Sequence, residues 1–573
     1  MTASVVAPDS VAAAGSRRFT LTPVTAVIIA ATLLALALRL FQFSRPGYLL
    51  GVTEYDDGPY FGSALRLIHG LVPYRDFQVI QPPGITLLML PAALLSKVTS
   101  TDSALVVGRI LTTLAGTASV VLVGRLVRHR GVTATVLACG ITAVFPDAIA
   151  AAHTVLVEPW LVLFCLLGAN AVFDGDRLTA SPRRLAWAGA AFGFAGAVET
   201  WAIFPVIGLL ILLLRRPRNA GVFAAGMTAG FGIPVLPFAL MAPRGLYDSI
   251  VVAQTRVHPI RVPLVAAHPP FPGEVGYSRL LDMTGLSGLS GLSLGGPVQV
   301  LVEVFILLII FGALVAVSVK SHEGPAALDW FAVAAFALIS VAFVLPPQFY
   351  YHFSAFLAPF LAMAIALPVA RLIDATWPAG SSAGQLSPVV AGALILIMGF
   401  MQASHEINLH SRMPWSDVVT ARRLILPGAC LVTDQVSYSI VFDRFTSAVP
   451  GCPVMLDPSG INYTMTHGHD PQTGANRYPA VVAFWRDNFS DAQYVWLSYQ
   501  AYRRIPWTAA LHAYFTHTFT QILSDPAGAL YRHTSTRLLR YNGIAATRPH
   551  HSRGDYLQAS LARLPRAGPM TPE

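Results

Sequence analysis

Apolar residues in this chain come in long blocks separated by short charged turns. A helix needs about 20 apolar residues to cross the hydrocarbon core of a bilayer. Blocks of that kind lie at 24–43, 104–124, 132–150, 158–173, 220–242, 297–319, 326–346, 353–370 and 387–403. Two further blocks do not fit one crossing each. Residues 185–214 are too long for a single span, and 83–97 are short and bracketed by Pro82, Pro83 and Pro91.

The charged turns resolve both cases. Lys and Arg of short loops collect on the cytoplasmic side of a membrane protein. Arg17 and Arg18, the cluster Arg125, Arg128 and Arg130, the pair Arg183 and Arg184, the cluster Arg215, Arg216 and Arg218, then Lys320 and Arg371 mark successive turns. All of them fall on one side only if 83–97 stays interfacial or re-entrant. The same condition makes 185–214 a hairpin that turns at Glu199-Thr200-Trp201. The pattern therefore predicts a polytopic α-helical membrane protein of about 11 spans, with an interfacial helix region in its first outer loop and a cytoplasmic N-terminus. No small-residue cleavage site follows Val24–Leu38, so the first helix is expected to be retained.

The pattern changes after residue 403. Ala429–Thr433, Pro453–Leu456 and Tyr494–Ser498 read as short strands, and Pro506–Phe515 reads as helix. The expected domains are a multi-span membrane domain over 1–403, an extracytoplasmic α/β domain over 404–545 and a disordered tail over 546–573.

Composition agrees: 54% of residues are hydrophobic and 12% charged, against about a quarter charged in a soluble protein. The net charge of +9 is spread over the turns and forms no basic stripe interleaved with aromatics, which excludes a nucleic-acid partner. Membrane lipids are the expected surroundings, in the plasma membrane. Four cysteines are too few for a disulfide framework. Cys139 and Cys165 sit in apolar blocks, whereas Cys430 and Cys452 form an even pair in the outer region that could be bonded or free.

Candidate chemistry concentrates on the outer side. The long first outer loop, 44–82, carries Glu54-Tyr55-Asp56-Asp57-Gly58, followed by Tyr60, Phe61, Ala64, Leu65 and Ile68 at helical spacing. That helix is expected to lie along the bilayer surface with the carboxylates at its N-terminal end. A structural alternative makes Asp57 its cap. Further on come Gly70-Leu71-Val72-Pro73-Tyr74-Arg75-Asp76-Phe77 and Pro82-Pro83-Gly84.

This succession resembles the glycosyltransferase C superfamily, and within it the protein O-mannosyltransferase and lipid A aminoarabinose transferase branches. The likeness runs over about 50–175 and recurs at Tyr350–Pro359. It implies transfer of a sugar, with mannose or arabinofuranose favoured, from a polyprenyl-phosphate donor to a hydroxyl of a glycan, lipid or protein acceptor on the outer face, with inversion. On the matching positions it makes Asp56 the general base and Asp57 the second acidic residue. Glu158 would orient acceptor or sugar, or else simply favour the N-terminus of its helix. Tyr351 and His352 would bind the carrier phosphate, or else belong to an interfacial aromatic belt. A divalent metal serves some members of the superfamily; it is possible here but not implied, and Asp56 with Glu158 would hold one only if they converge.

Arg39 and Arg109 are charges inside apolar helices, a default signal of function. A lipid phosphate is their natural partner, with snorkelling to the surface as the alternative. Arg75, Arg256 and His258 are weaker candidates in outer loops. Glu199 stands where relatives often carry a Lys. A transporter or lipid flippase is the alternative reading, and a scaffold that displays the outer domain is a third. The flippase predicts polar groups along the mid-membrane part of several helices, whereas most acids here lie outside.

Overall fold

The structure, a computed structural model, describes residues 21–255, 283–285, part of 305–319, 324–344, 349–377, 381–410 and 415–535 apart from position 454. The span expected at 297–319 lies largely outside the described residues. Arg17, Arg18, Arg256, His258, Lys320 and the tail 546–573 lie wholly outside them.

Helices dominate. In chain order they are α1 (Pro23–Ser44), α2 (Asp57–Ile68), α3 (Gly84–Leu95), α4 (Thr101–Val127), α5 (Gly131–Val144), α6 (Pro146–Ala152), α7 (Glu158–Val172), α8 (Pro182–Val198), α9 (Ile203–Leu213), α10 (Pro217–Met241), α11 (Ala327–Val344), α12 (Ser354–Thr376) and α13 (Ser382–His410). Among the described residues six helical stretches are long and apolar enough to cross a membrane. One of them, Thr101–Val144, runs through α4 and α5. Proline at the first turn starts α1, α6, α7, α8 and α10, where its missing N–H leaves nothing unsatisfied.

The short block forms a helix too short to cross. Twelve residues of α3 rise only about 18 Å, well short of a membrane crossing. The long block breaks at Glu199, and a 3-10 turn covers Thr200–Ala202. Its two limbs then choose other partners: α8 packs on α7 and α10, and α9 packs on α11. The reason lies in small residues. Gly189 and Gly193 of α8 face the backbone of Phe223 and Met227, while Gly226 and Gly230 of α10 face that of Ala186 and Ala190. Two small residues four apart on each helix let the backbones touch, the usual way apolar helices associate in lipid.

The basic turns gather at one end of the bundle. Arg130 and Arg371 both pair with buried Asp329, at 3.2 and 2.9 Å, and Arg130 and His129 both reach Asp176.

The amphipathic helix departs from expectation. It starts at Asp57, and Phe61, Ala64 and Leu65 are fully buried. It is not a surface helix lying on lipid. One side of α2 meets α3, and the other meets a short helix, α14 (Ser437–Val441), of the C-terminal part.

That C-terminal part contains a four-stranded sheet. Its strands are β1 (Leu431–Thr433), β2 (Tyr494–Ser498), β3 (Phe519–Asp525) and β4 (Gly528–His533), in the spatial order β1-β2-β4-β3. β1 and β2 are parallel, with Leu431 opposite Tyr494; the other pairs are antiparallel. In the expected strand Pro453–Leu456 the described residues form no strand; Met455 and Leu456 lead into helix α15 (Pro458–Met465), capped by Asp457. The β3–β4 hairpin was not anticipated, because its turn, Pro526-Ala527, carries none of the Asn-Gly signals of tight hairpins. Asp525 closes it instead, accepting from the amides of Ala527 and Gly528. The predicted helix at 506–515 begins at Ala509, since Thr508 caps it. Cys430 and Cys452 form a disulfide, and Cys139 and Cys165 are free and buried.

Candidate active site

Asp56 and Asp57 are neighbours in the chain with opposite surroundings. Asp57 is fully buried and paired with the equally buried Arg109, and its other oxygen accepts from the Val155 amide at 2.7 Å. Arg109 places all five of its N–H donors, on Asp57 and on the carbonyls of Tyr48, Leu49 and Gly51. None is left for a lipid phosphate, so the structure corrects that expectation. Arg109 pins the first loop. Nor does Asp57 cap α2 with its side chain.

Asp56 turns the other way and keeps 27% of its side chain exposed. Its carboxylate lies 3.8 Å from Nε2 of His352. On the far side, Nδ1 of His352 donates to Oε1 of Glu158 at 2.7 Å, because an ionised carboxylate only accepts. Three residues from distant segments thus stand in line, Asp56–His352–Glu158. Glu158 is fully buried, it opens α7 as its position before Pro159 suggests, and its Oε2 has no partner among the described residues. Tyr351 donates to Glu54, two residues before Asp56. Glu199 lies within Coulombic reach of Glu158 and His352.

The C-terminal part completes the first loop. Gln435 donates to the Glu54 carbonyl at 2.9 Å. The Ser437 hydroxyl bonds the carbonyls of Glu54 and Tyr55 and the Gly58 amide, at 3.0, 3.1 and 3.0 Å. Gly58 is required for this approach: a β-carbon there would lie 2.5 Å from the Ser437 amide nitrogen. The Tyr55 hydroxyl donates to Asp457 at 2.8 Å, and the Arg504 guanidinium covers its ring at 4.7 Å. Arg504 itself is held by Asp434 and Gln435. Of these, only Glu54 stood in the acidic run of the first loop; nothing local marked Gln435, Ser437 or Arg504.

Two expected residues stay apart from this cluster. Arg75 is engaged by its neighbour Asp76 at 2.7 Å, inside a tight turn in which Asp76 also accepts from the Val72 amide. Arg39 is 1% exposed, so it does not snorkel. It donates to the carbonyls of Ala35 and Ala148 and lines a small pocket with Ser119 and Thr142.

Burial pushes the Asp56 carboxyl up to about 7, with His352 pulling the other way. Burial also raises Glu54 and Asp457. Carboxyls raised in this way cluster at functional sites, though structural networks raise them too. Among the described residues no three His, Cys, Asp or Glu side chains are arranged to hold a metal. Asp56 and Glu158 do converge, but with the His352 imidazole between them.

No protein-family model and no curated protein sequence matches this chain. Solved structures match over most of its length. ArnT from Cupriavidus metallidurans superposes with a TM-score of 0.54 at 13% identity, over 89% of this chain and 98% of that one. The same protein bound to undecaprenyl phosphate gives 0.55 at 13% identity and the same coverage. The Archaeoglobus fulgidus oligosaccharyltransferase in its apo form gives 0.50 at 12% identity, over 90% of this chain and 74% of that one. Over most of its length this chain therefore has the fold of ArnT and of the archaeal oligosaccharyltransferase.

Proposed function

We propose that the protein is a membrane glycosyltransferase that moves a sugar, mannose or arabinofuranose, from a polyprenyl-phosphate carrier to an acceptor hydroxyl on the outer face. The reading rests on the Asp56–His352–Glu158 line at the junction of the helices with the C-terminal part. Asp56 is the general base. It is the exposed end of that line, and its raised carboxyl is matched to taking a proton near neutral pH. The acceptor oxygen forms its new bond to the anomeric carbon as the bond from that carbon to the carrier phosphate breaks. The acceptor proton passes to Asp56, and the phosphate leaves with the bonding pair, giving inversion in a single displacement.

As an imidazolium with N–H groups on both sides, His352 steadies the ionised Asp56, and Glu158 fixes the direction of the ring. Asp57 and Arg109 set the path of the loop. The twofold attachment of that loop, to Arg109 from below and to Ser437 from above, supplies the fixed geometry that displacement needs. ArnT bound to undecaprenyl phosphate supports a polyprenyl-phosphate carrier. The gathering of Arg130, Arg371 and their partners at one end of the bundle supports a cytoplasmic assignment for that end, with the C-terminal part outside.

The test is transfer from radiolabelled polyprenyl-phosphate mannose and arabinofuranose in membranes carrying wild type or Asp56→Asn. The expected result is transfer by wild type from one donor and a loss of about 100- to 10,000-fold in the variant. Equal transfer by both would remove Asp56 as base, and no transfer from any carrier-linked sugar would overturn the function.

A further inference from the structure

Sheet strands that run parallel present their carboxyl ends as a ligand-binding edge in open α/β sheets. Here the one parallel pair among the described strands, β1 and β2, aims that edge at the first loop. The segment after β1 supplies Gln435 and Ser437, which grip Glu54 and Tyr55. The segment after β2, Tyr499 to Arg504, supplies the guanidinium above Tyr55. The same segment holds an unexplained feature. Among the described residues of 415–535, only two Phe, Tyr or Trp side chains are exposed by more than half, Tyr499 at 52% and Tyr502 at 61%. From the helical side Tyr350 joins them, 51% exposed, its ring parallel to His352 at 5.7 Å. Asp56, Asp470, Arg503 and Arg504 all lie within Coulombic reach of its hydroxyl.

We infer that this rim of Tyr350, Tyr499 and Tyr502 is the acceptor subsite, and that its occupant is a glycan held by the faces of its sugar rings. The inference rests on the glycosyl-transfer reading and names the acceptor class that reading leaves open. The rings are fixed before anything binds: Gln500 donates to the Tyr499 hydroxyl at 2.9 Å, and Arg503 donates to that of Tyr502 at 3.0 Å. Gln500 is in turn held by Arg504 at 2.7 Å, so the rim is tied to the residue that covers Tyr55. An aromatic face carries negative charge density and attracts the C–H face of a pyranose or furanose. A lipid acceptor calls for an apolar surface continuous with the bilayer, and a peptide calls for a free strand edge. Tyr499 sits in the turn after β2 and Tyr502 in the short helix Ala501–Arg504 that follows it, among polar neighbours, and they offer neither.

The experiment uses the full chain in lipid nanodiscs, with manno- and arabino-oligosaccharides as probes and a Ser/Thr peptide as comparison. Oligosaccharide binding is read by saturation-transfer NMR without donor, and acceptor KM is read in the transfer assay. Tyr499→Ala and Tyr502→Ala are expected to raise the oligosaccharide KM by about tenfold, leaving kcat and donor KM within about twofold. Tyr502→Phe is expected to restore binding, because the ring face does the work. Both tyrosines are more than half exposed, so an unchanged melting temperature accompanies the effect. Three outcomes would overturn the inference: unchanged oligosaccharide KM in the Ala variants, equal loss in Tyr502→Phe, or transfer to peptide without oligosaccharide binding. The last leaves the glycosyl-transfer reading intact. Oligosaccharide binding that depends on the tyrosines, with no transfer from any carrier, would keep the glycan subsite and sink the reaction.

Discussion

The two ends of the helix bundle treat their acids in opposite ways. At the end that gathers the basic turns, buried Asp329 has two arginines and the Ala326 amide around it, and Asp176 has Arg130 and His129. At the other end Glu54, Asp56, Glu158, Glu199 and Asp457 crowd together. Their partners there are hydroxyls, backbone amides and one imidazole. Paired charges hold turns in place. Unbalanced buried acids are kept against a stability penalty, and such perturbed groups cluster at functional sites. Asp57 obeys the first rule within one residue of Asp56, which obeys the second.

The sharpest way to break this contrast is to exchange its consequences. Asp329→Ala removes the acid shared by two arginines and is expected to lower stability by about 3–5 kcal/mol, while the transfer rate per folded molecule stays unchanged. Glu158→Gln at the opposite end is expected to leave the melting temperature in place and lower transfer by about 100-fold. Calorimetry and transfer assays on both variants decide the matter; similar profiles for the two would erase the distinction between the ends.

The pH profile comes next in size. Asp56 works as a base only when ionised, and burial holds its carboxyl at about 7. Transfer should therefore rise about tenfold per pH unit below that value and level off above it. A wild-type rate already flat from pH 5 upward would mean that Asp56 is not the group that takes the proton.

The smallest effect concerns the grip of the C-terminal part on the loop. Ser437→Ala removes the hydroxyl whose proton is shared by the Glu54 and Tyr55 carbonyls, at 3.0 and 3.1 Å, and which accepts from the Gly58 amide at 3.0 Å. It is expected to cost about 1 kcal/mol of stability and to slow transfer several-fold by loosening Asp56. Wild-type kinetics in this variant would show that the loop is held by Arg109 alone.

Hydropathy, proline positions and charged turns were enough to read the helical membrane architecture, the helix break at Glu199 and the acidic first loop. These are properties of single segments: an apolar run of a given length has few fates in lipid, and proline starts a helix wherever it stands at the first turn. Even the disulfide partners could be named, although the sequence left open whether they are bonded. The roles of Asp56 and Asp57 could not be divided in this way. Nothing in Asp-Asp says which one turns inward; that depends on Arg109 on another helix, with its five donors already directed at the loop. The burial of α2, the line from Asp56 through His352 to Glu158, and the contacts of Gln435 and Ser437 with Glu54 join segments as much as 383 positions apart. Such contacts depend on how the packed helices and the parallel strands bring their ends together in space, and only the tertiary structure decides that.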